Sequence, residues 1–208
     1  MRHSVLFLCL LALAAFGCAD PTTDKPKAEV EAPAPTPEPV AGGVVLPLAE
    51  GTTLGFVGSK VTGSHDGGFK TFTATVDPAD GKVEGGSVSV EIDVDSMFTD
   101  SEKLTGHLKG PDFFGAEANP KATFQSSEIK AGGSEGYTHT VVGNLALHGV
   151  TKKITFPANI EMDSGTVKVK SEFSINRKDF EMGYAGMPDD LIRDEVVIKL
   201  DLTFDAKA

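Results

Sequence analysis

The stretch "VVIKLDLTF", Val196 to Phe204, decides the fold class. Val196, Ile198, Leu200, Leu202 and Phe204 fall on one side, and Val197, Lys199, Asp201 and Thr203 fall on the other. Side chains of an extended chain alternate between faces, so this period of two describes a half-buried antiparallel strand. Three other segments read the same way. "ITFPANIEM" places Ile154, Phe156, Ala158, Ile160 and Met162 together; "SVSVEIDV" does so for Val88, Val90, Ile92 and Val94. "TVKVKSEFSI" aligns Val167, Val169, Phe173 and Ile175, with Ser171 among them. Weaker runs occur at 53–61, 68–77, 121–130 and 137–147, with a first strand at 43–48. The turns "PADG" (Pro78 to Gly81), "AGGSEG" (Ala131 to Gly136), "HGVTK" (His148 to Lys152) and "DSG" (Asp163 to Gly165) join neighbours at hairpin distance. Eight or nine strands follow, mostly linked in sequence, with one long connection from Asp95 to Asn119.

Each strand has one apolar face and almost no helix is available to cover it, so the apolar faces must meet each other. A sandwich or a closed barrel achieves this, and closure also removes exposed edges. An eight-stranded barrel is either just filled by its side chains or holds one small ligand. Ala74, Gly143, Ala146, Ala158 and Ser171 are read as small inward residues that leave volume.

The chain has 208 residues, 23 of them Gly, with 7% aromatics, no Trp and a formal net charge of −11. Gly and β-branched residues favour strands and tight turns. The acidic balance and scattered basic residues argue against nucleic acid as a partner, since a phosphate backbone demands clustered Lys and Arg. Residues 1–17 read as a signal peptide: Arg2 and His3 precede an apolar run, Val5 to Phe16, that is too short to span a bilayer. "AFGC", Ala15 to Cys18, resembles a bacterial lipoprotein signal in which Cys18 becomes the lipidated first residue; ordinary signal cleavage would cut the same bond. Cys9 leaves with the signal, so Cys18 would be the sole thiol of an exported chain, which favours lipidation. Residues 18–42 hold six of the twelve prolines and read as a disordered tether with a reach of roughly 75 Å. The folded domain is then 43–208.

Within the long connection, "DSEKLTGHL" reads as a short helix capped by Asp100 or Ser101. After it, "GHLKGPDFFGAEANPKATF" puts two adjacent phenylalanines in a Gly- and Pro-rich segment. Phe113 and Phe114 cannot point the same way along an extended chain. One is expected to plug the barrel mouth and the other to pack with Leu108 under the helix. Leu108, Phe113 and Phe114 are therefore the candidate cap, acting as a plug or a gate.

No chemistry-bearing pattern emerges. His65, His107, His139 and His148 lack metal-ligand spacing, so no metal is expected. There is no Gly-x-Ser-x-Gly elbow, no cysteine nucleophile in the folded part and no cofactor motif. Arg177 and Asp179, two apart and so on one strand face, read as a structural ion pair or strand-end anchor, with a polar head-group contact as the alternative. The chain reads as a binding protein, not an enzyme.

Four blocks in order, "TGSHDGGFKTF", "GHLKGPDFFGAEANPKATFQSSEI", "GNLALHGVTKKITFP" and "FSINRKDFEMG", resemble the signature blocks of the YceI-like family over about residues 45 to 206. Two positions depart from its pattern: Glu181 stands where the family has Gly, and Asp66-Gly67 is an addition. The resemblance implies an all-β, antiparallel, eight-stranded lipocalin-like barrel of exported or periplasmic bacterial proteins. It implies a lumen holding a long isoprenoid-type lipid. Alternation then nominates Phe56, Phe72, Val90, Ile92, Phe124, Leu145, Leu147, Phe156, Ile160, Phe173, Ile198 and Leu200 as lumen-lining. Ala19 after Cys18 resembles the outer-membrane sorting pattern of enterobacterial lipoproteins, so the expected place is the periplasm, anchored to the outer membrane, or the cell surface. The competing reading is a structural or adhesive surface domain with a filled core.

Overall fold

The computed structural model describes residues 20–35, 45–188 and 190–205. The signal-type segment and Cys18 lie outside the described residues. Strands run β1 Glu29–Glu31, β2 Leu46–Pro47, β3 Thr53–Lys60, β4 Gly63–Phe69, β5 Phe72–Ala79, β6 Lys82–Asp93 and β7 Met97–Thr99. After helix α1, Glu102–Lys109, come β8 Lys121–Ala131, β9 His139–Leu147, β10 Val150–Asp163, β11 Thr166–Asn176, β12 Gly186–Met187, β13 Asp190–Leu191 and β14 Glu195–Asp205.

Twelve strands form one mostly antiparallel sheet in the order β2-β5-β6-β8-β9-β10-β11-β14-β3-β4-β7, with β1 attached to β10; β12 and β13 form a separate hairpin. The sheet curls strongly into a half-barrel. The expected count of eight differs because nine strands of seven or more residues are joined by short ones that bridge the curl. β14 links the last part of the chain to the first: it pairs with β11 from Thr166↔Asp205 to Asn176↔Glu195, and with β3 from Val197↔Val57 to Asp201↔Thr53. β2 reaches both ways across the curl, through Leu46↔Val76 on β5 and a bridge from Leu48 to Phe204 on β14. The apolar faces meet inside, where Val167, Phe180 and Phe204 are fully buried.

β4 is absent from the sequence reading. "GSHDGGF" has one large apolar residue and no period, and its backbone pairing with β3 and β7 carries it into the sheet. The helix appears as expected, with Ser101 as its N-cap: the Leu104 N–H donates to Ser101 Oγ at 3.4 Å.

The N-terminal segment corrects the expectation of a disordered tether for residues 20–35. β11 pairs with β10 only from Thr166 to Lys170. Beyond that point the two separate, and residues 26–31 fill the seam. The Ala28 N–H donates to the Ser174 carbonyl and the Ser174 N–H to the Pro26 carbonyl, both at 2.9 Å. On the other side Glu29, Val30 and Glu31 pair with Thr155, Ile154 and Lys153 of β10. Ala28 is buried in the core cluster, and Val30 packs against it. The chain then crosses β9, where Asn144 Nδ2 donates to the Ala34 carbonyl and Oδ1 accepts from the Ala34 N–H. Composition failed here because small apolar residues suffice when both edges of a seam supply hydrogen bonds.

Ion pairs fasten this strap from outside: Asp20 to Arg193 at 2.8 Å, Lys27 to Glu195 at 2.6 Å, and the contacts Lys25 to Glu172 and Glu31 to Lys153. The Thr22 N–H and hydroxyl hold the Asp20 carboxyl below its ordinary value, with Arg193 adding to the effect. Hydrogen bonds to Glu172 and Glu195 raise Lys25 and Lys27 above theirs. The Asp20 contribution is present above its unfolded value of 3.8 and lost as pH falls through the lower folded value. The lysine contributions are present below 10.5 and lost as pH rises through the raised folded values. Amide exchange at Ala28 and Ser174, followed by NMR, is therefore expected to be slowest relative to the β11–β14 ladder between about pH 4 and 10. Relative acceleration is expected on both sides of that window.

Glu181 ends the 3-10 turn Arg177–Phe180 with φ 60° and ψ 18°, the left-handed conformation that costs an L-residue about 1–2 kcal/mol. Replacing it by Gly removes that cost, less the added freedom of the unfolded chain. Glu181→Gly is expected to raise Tm by roughly 2–4 °C, corresponding to about 1 kcal/mol, in a thermal melt.

Candidate functional site

The half-barrel encloses a cavity of about 370 Å³. Its size falls within the range of small-molecule sites, roughly 300–1,000 Å³. The wall is almost wholly apolar. Of the residues nominated from sequence, Phe56, Val90, Ile92, Phe124, Leu145, Leu147, Phe156, Ile160, Phe173, Ile198 and Leu200 line it. So do Leu108, Phe113 and Phe114. Phe72 does not. It pairs with Ile92 at the start of β5, a strand whose Ala74 and Val76 are fully buried, and it packs half-buried against that filled part of the interior. Ala146 is also corrected: it sits between Leu145 and Leu147, both on the cavity wall, and so takes the other face.

Leu54, Val88, Val141, Ile154, Val169, Ile175, Val196, Leu202 and Phe204 also line the space. Extending the alternation along each strand would have found them. Phe69, Leu104, Met182 and Ile192 line it from non-periodic segments and carry no such signal.

Two glycines shape the interior. A Cβ at Gly143 would lie 2.4 Å from Phe124 Cζ, and one at Gly67 would lie 2.4 Å from Phe56 Cζ. Both rings therefore lie across a neighbouring strand where there is no side chain. Phe124 reaches over β9 towards Phe156, at 5.7 Å between centroids, and Phe156 stacks on Phe173 at 4.3 Å. This aromatic row forms wall instead of filling the lumen.

The cap divides its two phenylalanines as their adjacency requires. Phe114 faces the lumen, 6.3 Å from Phe56 and 6.0 Å from Phe69 by ring centroids. Phe113, 5% exposed, packs against His107 of α1 at 5.1 Å and Tyr184 at 5.4 Å. The turn is fixed by its own backbone: the Phe114 N–H donates to the Leu108 carbonyl at 3.0 Å and the Gly115 N–H to the Gly110 carbonyl at 2.9 Å.

Four ionisable side chains line the cavity: Lys60, His65, Arg177 and Arg193. Each meets a carboxylate. Lys60 contacts Asp190, His65 Nδ1 lies 2.8 Å from Asp100, Arg177 pairs with Asp194 at 3.0 Å and Arg193 with Asp20 at 2.8 Å. Lys60 and the Thr62 hydroxyl and N–H keep Asp190 below the usual carboxylate range, Lys60 first. Arg177 does not pair with Asp179, because residues 177–180 leave the strand as a 3-10 turn. Its buried guanidinium also donates to the carbonyls of Met182 and Arg193. Ser59 Oγ and Arg193 Nε are buried at this end without a hydrogen-bond partner. Among the described residues, no three His, Cys, Asp or Glu side chains gather where a metal could bind.

A curled antiparallel half-barrel built around an apolar space with an aromatic cap defines the class of protein. The family model for the YceI-like domain matches residues 48–204, and the chain belongs to that family. Among curated relatives, a UPF0312 protein of Serratia proteamaculans is 42% identical over 95 residues, 46% of this chain and 44% of the relative. A UPF0312 protein of Pseudomonas aeruginosa is 40% identical over 73 residues, 35% of this chain and 37% of the relative. The chain thus matches less than half the length of these curated relatives. The crystal structure of BcnA from Burkholderia cenocepacia is 28% identical, with TM-score 0.60 over 72% of this chain and 95% of that one. A polyisoprenoid binding domain from Saccharophagus degradans, implicated in plant cell wall breakdown, is 18% identical with TM-score 0.60, covering 79% and 99%; this likeness is one of fold.

The two cap phenylalanines should separate in an unfolding experiment. Phe113→Ala empties a packed site and is expected to cost about 3–5 kcal/mol. Phe114→Ala enlarges a space that already exists and is expected to cost less than half of that. Urea midpoints at unchanged m-value measure both.

Proposed function

We propose that this protein is an exported lipoprotein that carries a long apolar lipid of the isoprenoid type in the lipocalin-like lumen of its half-barrel. One observation carries this reading: a preformed cavity of about 370 Å³ whose wall is apolar and whose ionisable groups are each matched by a carboxylate. Such a space favours hydrocarbon, at about 0.8 kcal/mol per buried CH₂. It offers no paired nucleophile and base for turnover. Ser59 Oγ and Arg193 Nε give an oxygen-bearing head group two hydrogen-bonding atoms at one end. The Saccharophagus degradans domain agrees in fold and is described as binding polyisoprenoid. Export and anchoring rest on the apolar run Val5 to Phe16 and on Cys18 as the sole thiol left after cleavage. Outer-membrane sorting through Ala19 belongs to the same proposal.

Native mass spectrometry with lipid extraction, on protein recovered from bacterial membranes, tests both parts. The expected result is a co-purified isoprenoid and an N-terminal peptide carrying acyl mass on Cys18. Gly67→Ala should fold normally yet lose most of the cargo, because its Cβ drives the Phe56 ring off β4 into the lumen. An empty protein that also rejects added polyprenol would overturn the carrier reading in favour of a structural surface domain.

A further inference from the structure

Six large apolar side chains stand exposed among the described residues, and three of them lie on neighbouring backbone. Val61 is 56% exposed, Met187 62% and Leu191 50%. The backbone holds them together: the Val61 N–H donates to the Leu191 carbonyl at 3.2 Å, and Gly186 and Met187 pair with Leu191 and Asp190. The patch adjoins the cavity. Lys60 precedes Val61 and Ile192 follows Leu191; the two form a bridge, and both line the lumen. Val61 and Leu191 stand opposite each other, whereas Met187, opposite Asp190, lies on the other face of its hairpin. Exposed apolar side chains paired at the rim of an apolar cavity mark an interaction site.

The N-terminal strap indicates what covers it. Asp20 pairs with Arg193 at 2.8 Å, and Arg193 lies two residues beyond Leu191. The Arg193 N–H donates to the Ser59 carbonyl at 2.9 Å, so this ion pair belongs to the same rim. Cys18 lies two residues before Asp20, and two residues of extended chain reach at most about 7 Å. A lipid anchor on Cys18 would therefore be tethered within that reach of Asp20. The strap, bound along β11, β10 and β9, prevents the barrel from turning freely about that anchor. The opposite end of the half-barrel, with the β10–β11 turn, is carried far from it.

We propose that the rim formed by Val61 and Leu191 docks on a lipid bilayer, with the cavity mouth facing the membrane and the Asp20–Arg193 pair fixing this orientation. The inference rests on Cys18 as the anchor point and not on the identity of any cargo. The expected surface is one of neutral head groups. The chain's net charge of −11 opposes an anionic surface, and the rim cations Lys60 and Arg193 are matched by Asp190 and Asp20. The side chains would sit in the region between head groups and acyl chains, where amphipathic faces bury by roughly 5–10 Å.

The absence of Trp makes a clean test available. The chain from Cys18 onward holds every described residue and a single thiol. It is coupled through that thiol to maleimide-phosphatidylethanolamine in phosphatidylcholine vesicles, with and without brominated acyl chains. Leu191→Trp reports the rim and Met162→Trp, at the far end of β10, reports the opposite end. The expected result is a blue shift and at least a twofold quenching by brominated lipid at position 191, with little at 162. Asp20→Asn in the Leu191→Trp background should reduce that quenching while the barrel still unfolds in one cooperative melt, lowered only slightly. Equal quenching at the two positions, or none at 191, overturns the docking. Quenching at 191 unaffected by Asp20→Asn overturns the role of the ion pair. Because coupling supplies the anchor and no cargo is added, a failure here is distinct from an empty cavity or an unlipidated Cys18 in the mass spectra.

Discussion

The architecture depends on β14 pairing on both of its edges. Eleven residue pairs join it to β11 and five join it to β3, and the second set is the joint between the two ends of the family domain. Without them, the apolar face of β14 would have nothing to meet, and neither would those of β3 and β11. With them, Val196, Ile198, Leu200, Leu202 and Phe204 become one side of an interior whose other sides come from β6, β8, β9 and β10. The hairpins elsewhere are local, so this long-range joint is also where most of the chain-closure entropy is spent.

An interior lined by so many large side chains would ordinarily pack shut. It stays open because rings lie along the wall. Phe124 rests over Gly143 and Phe56 over Gly67, each occupying ground that a side chain on the next strand would take. Phe156 and Phe173 stack nearly parallel, with 13° between their planes, which spreads their bulk along the sheet. The cavity is therefore a consequence of where glycines lie beneath phenylalanine rings. Small inward residues contribute less than expected: Ala158 is wholly buried and Ala74 lies in the filled part, so neither adds volume.

Much of this was legible in the sequence, because alternation is a local and strong signal. The long strands β6, β8, β9, β10, β11 and β14 all show it, and eleven of the twelve nominated wall residues line the cavity. The failures have separate causes. β4 carries "GSHDGGF", with no apolar period to read, and is held by its neighbours' hydrogen bonds. Phe72 follows the correct alternation but belongs to a strand that packs the filled region. Arg177 takes Asp194 as partner because a 3-10 turn replaces the strand that would have put Asp179 beside it. Glu181 was visible as an oddity and proves to occupy a left-handed conformation that Gly adopts without steric strain.

The strap was the least legible element. Composition says that residues 20–35 cannot build a core, and they do not build one; they complete one already made. The seam between β10 and β11 exposes two backbone edges and the side chains Ile154, Phe173 and Ile175 behind them. An unpaired edge in that position would invite another chain. Filling it with a segment of the same chain closes the edge, and the closest-fitting segment is one with small side chains, such as Ala28, flanked by charges that pair on the outside. The strap lies outside residues 48–204, the extent of the family domain. The family fold therefore supplies the apolar space, and the sequence preceding it supplies the means of orienting that space.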